Sequence, residues 1–171
     1  MGALTRAAVL VPLQVEASGE RRLVLIQRTA GSNAHQGQVA FPGGRYDPDR
    51  DESLLATALR EAEEEIALAP RDVTVLGALA EHRTLSTSYL ISPFVGRIPL
   101  VYTFRPDPRE VESVFTAPLH FFEQPERREA LHVEFGGTSF VVPSVRVDAY
   151  VVWGVTLRII DDLVASGFSR R

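Results

Sequence analysis

VAFPGGRYDPDRDESLLATALREAEEEIAL, residues 39–68, decides how this chain is read. Its first half is turn-rich, broken by Pro42-Gly43-Gly44 and by Asp47-Pro48, and its second half has helical spacing. Asp51 and Ser53 are both suitable N-caps, and the pattern predicts a helix from about Leu54 to Ala67, closed by Pro70. On a helical wheel Leu55, Leu59, Ala62 and Ile66 share an apolar arc, with Leu54 and Ala58 at its edge. Glu61, Glu64 and Glu65 share an adjoining arc, and Glu63 points away from both. Carboxylates three and four apart repel, and these sit in the half of the helix where the dipole disfavours anions. No Lys or Arg follows at i+4 to relieve Glu64 or Glu65, because Leu68 and Ala69 stand there. A solvated charged face is one explanation. A bound cation is the other, and an all-oxygen ligand set favours Mg²⁺ or Mn²⁺, completed by water and phosphate oxygens.

Outward from this helix, strand signals dominate. Residues 7–16 and 21–29 read as two strands joined at Ser18-Gly19. VTVLGALA (73–80) and YLISPFVGRI (89–98) have strand character, and EVESVF (110–115) is a short amphipathic stretch that suits the start of a short helix. LHVEF (131–135) and TSFVV (138–142) flank Gly136-Gly137, a two-residue hairpin signal. Val152, Trp153, Thr156, Leu157, Ile160, Leu163 and Val164 predict a core-packing helix over Ala149 to Ala165. The order implies one α/β domain spanning residues 1–171, a mixed sheet covered by helices on both faces.

Composition narrows the chemistry. The chain is 45% hydrophobic and 23% charged, with net charge −4, so it lacks the basic footprint of a nucleic-acid binder. All 18 basic residues are Arg, which excludes lysine Schiff bases and a phosphate-loop Lys. Without Cys there are no disulfides, thiolate nucleophiles or Cys-bound zinc. The N-terminal apolar run is broken by Pro12 and reads as a strand, not a signal peptide, and Arg6 breaks the myristoylation pattern. No run approaches the ~18 apolar residues of a membrane span. The expectation is a cytoplasmic protein with no membrane partner.

The segment from Gly43 to Leu68 resembles the box of the Nudix family, G-x5-E-x7-R-E-U-x-E-E-x-G-U with U aliphatic. Arg60-Glu61-Ala62-Glu63-Glu64-Glu65 matches its centre, Leu68 its last position, and Glu52 stands eight before Arg60 as required. Gly44 lies eight residues before Glu52 instead of six, so the loop is longer by two, and Ala67 replaces the usual Gly. Upstream, LIQRT (25–29), seven residues and GQVAFPGG (37–44) resemble the additional signature of the coenzyme A pyrophosphatase branch. Arg28, Gly37, Phe41, Pro42, Gly43 and Gly44 match it, while Thr29 replaces Ser, Ile26 replaces Thr and Asn33 replaces Arg. YLISPFVG, EVESVFTAPLHFF and VVWGVTLRIIDDL also resemble that branch, so the likeness covers most of the chain.

This resemblance implies a Nudix-like α/β/α sandwich that hydrolyses a nucleoside diphosphate linked to another group. Glu61, Glu64 and Glu65 would hold Mg²⁺ or Mn²⁺. Gly43 and Gly44 would turn backbone toward the site, Arg28 would meet substrate phosphate, and Arg60 would brace the carboxylates or touch substrate. Glu52 would tie down the loop. Glu110 is the expected general base, with Glu81 and the box itself as alternatives. His35, Ser86, Thr87 and Ser88 are candidates for substrate contact, and Arg45 or Arg83 for the 3′-phosphate of coenzyme A. The expected products are 3′,5′-ADP and 4′-phosphopantetheine. Cleavage of NADH or ADP-ribose is the alternative, as is a nucleotide-sensing domain without turnover, which the three intact box carboxylates disfavour. The expected partner is a small-molecule nucleotide, with a homodimer left open.

Overall fold

The computed structural model describes residues 4–30, 37–84 and 88–168. β1 (Thr5–Val15) and β2 (Arg21–Arg28) are antiparallel about a turn in which Gly19 takes φ 87°. β3 (Val39–Ala40) pairs with β2, and β4 (Gly43–Arg45) pairs with β1. After α1 (Leu54–Ile66) come β5 (Thr74–Ala78), β6 (His82–Arg83) and β7 (Tyr89–Arg97). β7 runs parallel to β1 from Thr5↔Tyr89 to Leu13↔Arg97, which makes the sheet mixed, and β5 and β6 pair antiparallel with β7. β8 (Val111–Pro118) pairs with β2. The EVESVF stretch is therefore a strand, with Val114 and Phe115 opposite Ile26 and Leu25, and Glu110 stands on the turn before it.

Alternation along β1 sorts the core into two layers. Ala8 and Leu10, with Val24 and Ile26 of β2, pack on Ala58, Ala62 and Ile66 of α1. Val9, Val11 and Leu13 face the other way, toward α3 (Gly154–Ser166) and a second antiparallel sheet. That sheet is ordered β11-β10-β9, from β9 (Arg128–Phe135), β10 (Thr138–Val147) and β11 (Tyr150–Trp153), and it follows the short α2 (His120–Glu123). Gly136 and Gly137 take φ 56° and 76°, the pair of positive values a tight hairpin demands, and Thr138 falls opposite Phe135. The C-terminal helix starts later than its spacing predicts. Val152 and Trp153 belong to β11, where β-branched and aromatic side chains pair with β10, and Gly154 at φ 65° breaks the extended run.

α1 keeps its predicted bounds. Ser53, not Asp51, is the N-cap, its hydroxyl accepting from the Ala56 N–H at 3.1 Å. The helix stops before Pro70 is reached, because Ala67 turns left-handed at φ 57°, its N–H bonding the Glu63 carbonyl at 3.0 Å and the Leu68 N–H the Ala62 carbonyl at 3.3 Å. The buried face differs from the wheel. Thr57, Ala58, Ala62, Glu65 and Ile66 are buried, whereas Leu55 and Leu59 lie on its shoulder, half-buried. Small residues at the centre let the helix lie close to β1 and β4. Among the described residues, no helix is long and apolar enough to cross a membrane.

Candidate active site

The close approach of α1 to β4 makes the site. Gly43 and Gly44 are strand residues rather than the expected turn, and neither has positive φ. Both are needed for room. A Cβ on Gly44 would collide with the Glu61 carboxylate, and one on Gly43 with the Ala8 carbonyl and Val9. The Gly43 N–H donates to Glu65 Oε2 at 3.0 Å, and its carbonyl accepts from Arg28 Nη2 at 3.5 Å.

Glu61, Glu65 and Glu110 each bring one carboxylate oxygen within 4.8 Å of the others. Glu110 reaches the two helical residues from its turn before β8, where its carbonyl accepts from the Thr29 N–H at 3.0 Å. Glu65 is 1% exposed, and its Oε1 accepts no hydrogen bond. The nearest described cation, Arg28 Nη1, stands 3.6 Å from that oxygen, within ion-pair range but beyond a hydrogen bond. Burial pushes the Glu65 carboxyl up to about 8, with Arg28 and the Gly43 N–H pulling against it. Burial likewise raises Glu61, against the pull of Arg60. An orphaned buried oxygen inside an all-carboxylate set fits a hard divalent ion such as Mg²⁺ or Mn²⁺.

Glu64 lies outside that trio. It is 46% exposed and bonds Arg50 Nη2 at 2.7 Å and Arg60 Nη1 at 3.1 Å. Relief of the repulsion thus comes from i−4 and from the preceding loop, not from i+4. Arg60 is the hub. Its Nε and Nη2 hold the two oxygens of Asp51 at 2.7 and 2.9 Å, and its Nη1 also bonds Glu61 at 2.9 Å. All three guanidinium nitrogens face carboxylates, which makes Arg60 a brace for the helix. Asp51 is 2% exposed, also accepts from the Thr57 hydroxyl at 2.8 Å, and is held by Arg60 well below the usual carboxylate range. Sequence reasoning saw Asp51 only as a cap, and gave the loop-holding role to Glu52, which is exposed. The signal that could have found it is Asp51, Thr57 and Arg60 at spacings of six and three, aligned along one side of the helix start.

The remaining candidates separate. Glu81 is engaged by the Ser92 hydroxyl at 2.6 Å and by Arg6, away from the trio. Arg28 keeps 30% of its side chain exposed toward a cleft of about 1080 Å³, which it lines with Gly43, Gly44, Glu61, Glu65 and Glu110. Arg45 also lines this cleft; Arg83 does not, and its carbonyl is bonded by Arg158. Ser88 is exposed, with its carbonyl accepting from the Thr5 N–H. His35, Ser86 and Thr87 lie outside the described residues.

Known proteins resemble this chain in sequence and fold. The NUDIX domain family model matches residues 4–135. The uncharacterized Nudix hydrolase NudL of Yersinia pestis is 40% identical over 158 residues, covering 92% of this chain and 77% of its own. A mutT/nudix family protein from Listeria innocua shares the fold at 17% identity, with TM-score 0.60 over 97% of this chain and 95% of that one. The NUDIX domain of Shewanella oneidensis NrtR, solved with ADP ribose, superposes at TM-score 0.53 and 21% identity over 70% and 76% of the two chains. This chain is a member of the Nudix hydrolase family.

Proposed function

We propose that this Nudix hydrolase is a Mg²⁺- or Mn²⁺-dependent diphosphatase that cleaves coenzyme A or its derivatives to 3′,5′-ADP and 4′-phosphopantetheine. The observation that carries the diphosphatase chemistry is the orphaned Oε1 of buried Glu65 beside Glu61 and Glu110. Glu61 and Glu65 would hold the ions, and Glu64 would join them if its exposed carboxylate turned from Arg50. Divalent ions held there would act as Lewis acids on the diphosphate oxygens and lower the cost of charge that builds up as the bridge breaks. The attacking water forms the new P–O bond, the bridging P–O bond breaks, and exposed Glu110 takes the proton of the water. Arg28 meets a phosphate with the part of its guanidinium that faces the cleft. Arg60 acts through Glu61 and Glu64 by holding their carboxylates in place.

The coenzyme A assignment rests on Arg28, Phe41, Gly43 and Gly44 of the branch signature, all of which line the cleft. A product assay across coenzyme A, NADH, ADP-ribose and diadenosine polyphosphates tests it. Release of 3′,5′-ADP from coenzyme A in preference to turnover of the others is expected. Preferred cleavage of NADH or ADP-ribose overturns the substrate while leaving the diphosphatase chemistry standing.

A further inference from the structure

Among the described residues, five arginines line the cleft, namely Arg28, Arg45, Arg50, Arg60 and Arg109. Four are committed to carboxylates: Arg28 to Glu65, Arg50 to Glu64, Arg60 to Asp51 and Glu61, and Arg109 to Asp107. The side chain of Arg45 makes no hydrogen bond or ion pair with any described residue, and it is exposed. Among the described residues, the cleft of this acidic protein otherwise matches each arginine with a carboxylate, and this one positive charge is left for a ligand.

Its place in the sheet says which part of a ligand. Arg45 stands opposite Ala7 on β1, and Ala7 stands opposite Ile91 on β7, so the three share one face. Val9, two residues along from Ala7, lies on that face too and packs in the layer on the α3 side. Gly44, the residue before Arg45, points the other way, at Glu61. Arg45 therefore sits across the strand from the metal-binding carboxylates, and what it holds is remote from the diphosphate. On that same face the cleft is lined by Ala7, by Ile91 and, two residues along β7, by Tyr89. Apolar and aromatic surface beside a single unpaired guanidinium suits a nucleoside that carries its own phosphate monoester, which Arg can grip with two parallel hydrogen bonds.

From this we infer that Arg45 is a specificity-determining residue, selecting substrates whose nucleoside end bears a phosphate monoester in addition to the diphosphate. The inference rests on the diphosphatase reading and supplies the contact that tells coenzyme A from a dinucleotide lacking that phosphate. Titration calorimetry of 3′,5′-ADP and 5′-AMP tests it on this chain in the presence of Mg²⁺. Wild-type protein binds 3′,5′-ADP more tightly than 5′-AMP, and in Arg45→Ala the ratio of the two dissociation constants shrinks about ten-fold or more, the usual weight of a charge-assisted contact. Arg45→Lys keeps part of the preference, which shows that the positive charge and not the fold is responsible. A ratio unchanged in Arg45→Ala overturns the inference, as does a wild-type protein that binds both ligands equally. The measurement reads binding alone, so a negative product assay for coenzyme A would fail separately.

Discussion

α1 and α3 have thirteen residues each and cover opposite faces of one sheet, yet they are attached by different physics. α3 buries Leu157, Ile159, Ile160 and Leu163 and is held by apolar area. α1 buries Thr57, Ala58, Ala62 and a carboxylate, and is braced by the Asp51–Arg60–Glu61 network. Its small side chains give up packing so that Glu61 and Glu65 can touch the backbone of β4. One face of the sheet is held by apolar burial, and the other gives up packing to keep carboxylates buried.

Substitution can break that division, and the largest effect is expected at Glu65. Glu65→Gln should lower turnover about a thousand-fold, the several kcal/mol a bound divalent ion contributes to the transition state. Steady-state kinetics with Mg²⁺ check it; near-normal turnover with an intact melting transition would disprove the metal site. On the other helix, Ile160→Ala should cost about 3 kcal/mol of stability in a urea titration while folded protein keeps its turnover. A large kcat loss at unchanged stability would erase the contrast between the helices.

The pH response sharpens it next. Glu65 ionises at about 8 when folded and near 4.5 when unfolded, so the folded state holds the extra proton between those values. Stability of the metal-free protein should therefore fall as pH rises from 4.5 through 8, by up to about 1.4 kcal/mol per unit. Asp51 acts in the opposite sense, its contribution being present above its ordinary value and lost in acid. Thermal melts in chelator should show this loss between pH 4.5 and 8, and Mn²⁺ or the Glu65→Gln change should remove it. A flat profile between pH 4.5 and 8 in chelator would mean that Glu65 stays ionised without metal. The smallest effect is at the end of α1, where Ala67→Gly should relieve a left-handed alanine and add roughly 1 kcal/mol. A loss of stability there would show that the Cβ packs usefully.

Much of α1 was legible because its determinants are local. The Ser53 cap and the heptad-scale run from Leu54 to Ile66 are near neighbours in the chain, and Gly136-Gly137 carries its hairpin alone. What escaped depended on distant partners. The Val-rich stretch after Glu110 reads as helix or strand until β2 is placed beside it, and Tyr150–Trp153 extends a helical spacing until β10 claims it. The wheel put leucines at the centre of the buried face because it ranks hydrophobicity, whereas the sheet selected for small size. Glu61 and Glu65 share a helix face and can be paired from sequence. Glu110 joins them only because β8 begins beside the end of β2, and the chain between them gives no periodic sign of it.

The Asp51–Arg60 contact also separates two lengths that the box pattern treats as one. Asp47 and Asp51 close a turn on themselves, the Asp51 N–H bonding the Asp47 carbonyl at 2.8 Å and the Asp47 N–H bonding the Asp51 carboxylate at 3.2 Å. The carboxylates take their position from Arg60 and from β4, so residues added between Arg45 and Arg50 lengthen a bridge without moving its piers. The two extra residues of this chain lie somewhere between Gly44 and Glu52, a stretch that contains that span. Cleft shape there can be altered by insertion while the hydrolytic centre keeps its register, which makes this loop the natural place to graft a new specificity.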